Sequence, residues 1–136
     1  MTGTITGSCL CGKVAYTATG PAQIMHHCHC RTCQKTHSSA FTTTVGVSWD
    51  GFEWVSGGDV VSYFESSPGK RRWFCPKCGS HLMADFEADK IRRLRVGCVD
   101  GGLTLKPDHH IWTSHKADWF DFDDDLPHAP EGRPGW

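Results

Sequence analysis

The hydrophobic positions of this chain recur mostly at intervals of two, in short runs. In GKVAYTATG (residues 12 to 20), Val14 and Tyr16 alternate with small and polar residues, and the run ends at Gly20–Pro21. That is the pattern of a half-buried strand. AFTTTVGVSW (40 to 49) is rich in threonine and valine and predicts a second strand. Further short strands are expected at FEWV, DVVSYFES, RRWFC, SHLMADFE and KIRRLRVGCVD, and late ones at HHIWT and ADWFDF. The pairs Asp50–Gly51 and Gly57–Gly58 and the run SSPG (66 to 69) punctuate them as turns. RTCQKTHSS lacks β-branched alternation and predicts one or two turns of helix. No segment carries a long apolar stripe of period 3.6. The expected fold is therefore all-β, built of several small antiparallel sheets with at most one short helix. The length of 136 residues fits a single domain over 1–136. LPHAPEGRPGW, rich in proline and glycine, predicts an extended or loose tail from about residue 127.

Composition narrows the function. The formal net charge of −1 provides no global field for nucleic acid or an anionic membrane. No apolar run approaches a membrane span. The opening MTGTITGSCL lacks a basic segment followed by an apolar one, so a signal peptide is not expected and a cytoplasmic protein is. Eight cysteines is a high count for such a chain. In a reducing compartment it favours metal binding over disulfides.

Seven of the eight are clustered: Cys9 with Cys11, then Cys28, Cys30 and Cys33, then Cys75 with Cys78. Side chains two apart in a strand share a face, so Cys9 and Cys11 can grip one ion from a strand end, with Gly12 turning the chain behind them. CPKCG forms a knuckle of the zinc-ribbon type, with Pro76 setting the turn and Gly79 allowing a left-handed conformation. Two pairs make a four-cysteine set, the composition of a closed structural zinc site. Cys28, Cys30 and Cys33 then remain, and three protein ligands with an open position is the pattern of catalytic zinc. Spacing also allows two of these three to join either outer pair. For the fourth position, water or a substrate thiol is favoured. His27 and His29 alternate away from Cys28 and Cys30, whereas His26, His37 and Cys98 keep a claim.

GSCLCGKVAY, CHCRTCQK, SSPGKRRWFCPKCGSHL, VGCVDGG and PDHHIWTSHKADWFDFDDDLP occur in that order. Together, over about residues 7 to 127, they resemble the glutathione-dependent formaldehyde-activating enzyme family, which includes centromere protein V-like members. The resemblance implies a zinc-stapled β-tent. It implies two zinc ions per chain: a structural one on Cys9, Cys11, Cys75 and Cys78, and a catalytic one on Cys28, Cys30 and Cys33. It further implies carbon–sulfur lyase chemistry run in reverse, joining glutathione to formaldehyde as S-(hydroxymethyl)glutathione. The chain departs from the family pattern at His37 and Ser38, and at Cys98 and Val99.

The expected partner is thus a small-molecule thiol or thiol adduct such as glutathione. Lys35, Arg71 and Arg72 are candidates to hold its carboxylates, set against ordinary solvated charge. Tryptophans such as Trp54 and Trp73 are read as core before pocket wall. Two other classes fit the cysteines. A zinc-ribbon binding module for nucleic acid or protein would use the basic run of Lys90, Arg92, Arg93 and Arg95. A thiol redox sensor would release zinc on oxidation of the central cluster.

Overall fold

Tyr16 and Ala18 are buried on one face of β2 (Ala15–Pro21) while Ala15 and Thr17 are only partly so, as alternation requires. In the computed structural model, which describes residues 2–133, this strand sits inside a four-stranded antiparallel sheet. Its neighbours are β1 (Thr2–Ser8) and β5 (Phe52–Ser56), and β10 (Val99–Gly101) covers the far edge of β1. Tyr16 stacks on Phe52 at 5.0 Å, and Trp54 meets Trp73 at 5.9 Å, so these aromatics are packing residues. Trp119 instead stands exposed.

Residues 62–95 form an antiparallel meander of β6 (Ser62–Ser67), β7 (Lys70–Phe74), β8 (His81–Phe86) and β9 (Ile91–Arg95). β8 lies between two neighbours, and Leu82, Met83, Ala84 and Asp85 are all fully buried. The register places Asp85 opposite Arg71 on one side and Arg92 on the other. Both arginines reach its carboxylate, at 3.0 and 2.7 Å.

Contacts divide the chain into two units. The first holds residues 2–23 and 45–105; the second holds 24–44 and 106–133. β3 (Gln23–Cys28) and β4 (Thr42–Ser48) run from one unit into the other along the chain. In the second unit β3 pairs in parallel with β11 (His110–Ile111), with His110 opposite His27 and Ile111 opposite Cys28. Parallel pairing differs from the all-antiparallel expectation. It arises because β11 returns through a long excursion of chain and not through a hairpin. Residues 127–131 cover the other side of β11: Ala129 N donates to His110 O at 2.8 Å and Trp112 N to Glu131 O at 2.8 Å. Arg133 grips Asp108 through both guanidinium nitrogens, at 2.8 and 3.0 Å. Of the tail expected to be loose, residues 134–136 lie outside the described residues.

The single α-helix among the described residues is α1 (Arg31–His37). Cys30 caps its start, accepting at Sγ from Cys33 N, and Ser38 closes it in the left-handed conformation at φ 51°. The strand expected at ADWFDF is absent. Lys116 Nζ donates to the carbonyls of Ala117 and Phe120, at 2.9 and 2.6 Å, and folds the segment into a turn. Its alternating aromatics serve local ring packing: Phe120 lies 5.6 Å from Phe41, and Phe122 lies flat on His110 at 3.8 Å.

Candidate metal centre

Cys9, Cys11, Cys75 and Cys78 bring their sulfurs together, every pair within 4.8 Å. Four sulfurs placed tetrahedrally at about 2.3 Å from one zinc ion stand about 3.8 Å apart. The Cys9–Cys11 and Cys11–Cys75 sulfur distances are 3.6 and 3.8 Å, so this donor set fits the ion. Strand alternation is not what gathers the first pair, as the spacing had suggested. Cys9 to Gly12 form a turn, with Gly12 N donating to Cys9 O at 3.1 Å, and Val14 N donates to Cys9 Sγ at 3.3 Å. The second pair forms the expected knuckle, with Gly79 at φ 81° donating to Cys75 O at 2.7 Å. Ser80 ties the two knuckles together, since its hydroxyl accepts from Leu10 N at 3.0 Å. The same hydroxyl lies 3.3 Å from Cys78 Sγ, and this contact with the Ser80 amide holds the Cys78 thiol down to about 5. A thiolate held in this way is a ready zinc ligand.

Cys28, Cys30 and Cys33 form a separate set, again with all sulfurs within 4.8 Å. β3 delivers Cys28, the cap of α1 delivers Cys30, and the first turn of α1 delivers Cys33. Cys28 and Cys33 are buried, and Cys30 is half-buried. Ile111 and Ala129 pack beneath them, and Trp112 lies against the cluster. Gln34 pins the loop, donating to the carbonyls of His29 and His115 at 2.7 and 2.8 Å. Hydrogen bonds with Cys30 and Cys33, with burial added, push the Cys28 thiol far up. Three thiolates this close are stable together only beside a cation. Among the described residues, no histidine, carboxylate or further cysteine joins the three within that distance. His26 and His37 lie outside the set, and Cys98 donates to His81 O at 3.2 Å.

The other candidates are placed as follows. Lys35 is exposed on α1. Arg71 is committed to Asp85, and Arg72 is buried with its Nε on Ser66 Oγ at 2.8 Å. Three of the four cations in the run Lys90, Arg92, Arg93 and Arg95 are matched by carboxylates. Arg92 pairs with Asp85, Arg93 with Asp89 at 2.9 Å and Lys90 with Glu87 at 3.5 Å, while Arg95 is buried.

One group escaped sequence reasoning. His27, His110 and Asp124 offer donor atoms within 4.8 Å of one another. The available signal was the parity that turns His27 away from the cysteines of β3. The partner it meets there depends on a parallel pairing that no local pattern announces.

No helix of the described residues is long and apolar enough to cross a membrane. None of the curated proteins matches the chain. Among solved structures, a Rhodobacter sphaeroides protein determined as a structural-genomics target superposes with a TM-score of 0.59. It is 16% identical, and the match covers 72% of this chain and 90% of that one, a likeness of fold. The family model described as "Glutathione-dependent formaldehyde-activating enzyme" matches residues 4–115. With that match over most of its length and both thiol sets assembled, the chain belongs to the glutathione-dependent formaldehyde-activating enzyme family.

Proposed function

We propose that this chain is a zinc-dependent enzyme of the carbon–sulfur lyase type, acting on a thiol adduct such as S-(hydroxymethyl)glutathione. Cys9, Cys11, Cys75 and Cys78 hold a structural ion, and Cys28, Cys30 and Cys33 hold the catalytic one. The observation that carries this reading is the second thiol set. Among the described residues it stops at three donors, while a complete set of four stands elsewhere in the chain. Zinc bound by three thiolates supplies an open position that favours a soft sulfur donor and lowers the pKa of a thiol placed there.

The chain's own residues do the rest. Burial of Cys28 and Cys33 closes the inner side of the cluster, so the half-buried Cys30 marks the side from which a thiol approaches. Trp112 packs against the cluster and stacks on His115 at 5.5 Å, which adds apolar surface beside the thiols. Lys35, exposed on α1, is the candidate to meet a carboxylate of a glutathione-like thiol. In the synthetic direction the thiol loses its proton, its sulfur bonds the aldehyde carbon, and the carbonyl oxygen gains a proton. In the reverse direction the carbon–sulfur bond breaks and sulfur keeps the electron pair. The pairing of Arg92 with Asp85 and of Arg93 with Asp89 weighs against a nucleic-acid surface on β9.

Metal analysis together with exchange NMR of formaldehyde and glutathione tests the reading. The wild type is expected to hold about two zinc ions per chain and to speed adduct formation. Cys30→Ser should lose one ion and the activity while keeping its fold. Unfolding of Cys30→Ser would make the central set structural. A fully loaded wild type that speeds no thiol addition would remove the enzyme assignment.

A further inference from the structure

Alternation along β3 turns Cys28 to one side and His27 to the other, and parallel pairing with β11 brings His110 beside His27. The two rings lie 4.8 Å apart between centroids. Each has its Nδ1 occupied. His27 Nδ1 is 2.7 Å from Thr43 Oγ1, and His110 Nδ1 is 2.8 Å from His29 Nε2. The remaining ring nitrogen of each is therefore Nε2. On the His110 side that edge meets Asp124 Oδ2 at 2.8 Å. Phe122 lies flat on His110, at 3.8 Å and 12°, and fixes the plane of that ring.

We propose that His27, His110 and Asp124 form a third metal site, a nitrogen–oxygen site for a borderline divalent cation such as Zn2+, distinct from both thiol sets. The donors suit that ion. Imidazole nitrogen with one carboxylate favours zinc-like cations over calcium or magnesium, which take oxygen cages. A hydrogen bond that fixes the far nitrogen of each ring is how metal-ligating histidines are oriented. His110 is 1% exposed and Asp124 43%, so the site has a rigid floor and an open mouth. Tetrahedral zinc with nitrogen and oxygen donors at about 2.0–2.1 Å requires an edge of about 3.3 Å. The His110–Asp124 distance is shorter, so the carboxylate must withdraw by about half an ångström as the ion enters. Its exposure leaves room for that movement, with Oδ1 accepting from Leu126 N at 3.2 Å.

Metal entry has a second signature. A carboxylate only accepts, so without metal Asp124 holds the His110 proton on Nε2, and Nδ1 accepts from His29 Nε2. A cation on Nε2 sends that proton to Nδ1 and reverses the His29–His110 hydrogen bond. The ring nitrogens thus report the ion without reference to activity.

The test is a Zn2+ titration of 15N-labelled full-length protein, with metal held by the thiols counted separately through loss of thiol reactivity. This separation makes the outcome independent of whether the thiol sets fill. The expected result is one further equivalent, shifting the Nε2 signals of His27 and His110 together and moving the His110 proton to Nδ1. Asp124→Ala should lose that equivalent and keep its thiol-bound metal, and His27→Gln should do the same should Asp124→Ala fold poorly. Retention of the Nε2 proton on His110 through several added equivalents would overturn the proposal. So would binding of the extra ion by both variants as in the wild type.

Discussion

Asp85 is the most constrained charge among the described residues that the structure places in the meander. It is fully buried between Arg71, which reaches it at 3.0 and 3.2 Å, and Arg92 at 2.7 Å. Arg92 also stacks over Trp49 at 3.9 Å, and Arg71 lies over Trp73 at 5.2 Å. Removing the carboxylate leaves two guanidinium groups facing each other, with Asp50 the remaining counter-charge acting on Arg92. Asp85→Ala is expected to cost about 3–5 kcal/mol, read from urea unfolding, and a cost below about 1 kcal/mol would mean that solvent already screens the triad. His81 is the second informative residue. Burial, then the charges of Arg95 and Arg72, hold its pKa below the usual histidine value. The unfolded chain therefore takes up a proton before the folded one does. The stability linked to His81 is complete above the unfolded pKa of about 6.5 and is lost as pH falls below it toward the folded value. His81→Gln should flatten the fall in stability on acidification below that pH, as followed by thermal unfolding across a pH series. An unchanged slope would assign the acid sensitivity to other groups.

At the scale of the element, Gly7 on β1 faces Tyr16 across the antiparallel ladder. A Cβ there would stand 2.3 Å from the buried Tyr16 ring, whereas one at Gly3 on the same strand would meet nothing within 4 Å. Gly7→Ala is expected to cost about 1–3 kcal/mol by overpacking. Gly3→Ala should change stability little, which makes it the matched control in the same denaturation experiment. β2 was legible because it shows period-two burial, with Tyr16 and Ala18 facing in. β8, buried from Leu82 to Asp85, carries no such alternation. KIRRLRVGCVD, expected as one strand, is broken by a turn at Val96–Cys98 into β9 and β10. The short helix was legible because RTCQKTHSS lacks that pattern. ADWFDF misled because alternating aromatics say which side chains share a face and not whether a neighbouring strand exists to pair with. Lys116 claimed the carbonyls that a ladder would have used. Spacing marked the seven clustered cysteines as candidate ligands but left their grouping open; the fold brings them together as four and three, and a turn, not strand alternation, gathers Cys9 and Cys11. The His27–His110–Asp124 group was not, because a pairing across 83 residues (110 − 27) assembles it.

At the scale of the whole molecule, the two thiol sets differ in what they tie together. Cys28, Cys30 and Cys33 are neighbours in sequence, so an ion there closes almost no loop. Cys11 and Cys75 are 64 residues apart, and their set joins the end of β1 to the turn between β7 and β8. By the chain-entropy argument used for disulfides, closing a loop of that length is worth about 4 kcal/mol, a large share of the stability of a chain of this size. Loss of the ion from the four-thiol set should therefore release the first unit, and loss from the three-thiol set should not. Hydrogen exchange separates the cases. Cys78→Ser, or chelation strong enough to empty both sets, should strip protection from the amides of β1, β2, β5 and β10 and restore it when zinc returns to the chelated wild type. Cys30→Ser should leave those amides protected. Equal loss of protection in both variants would mean that the three-thiol set is also structural, and the division between a stapling ion and a working ion would fail.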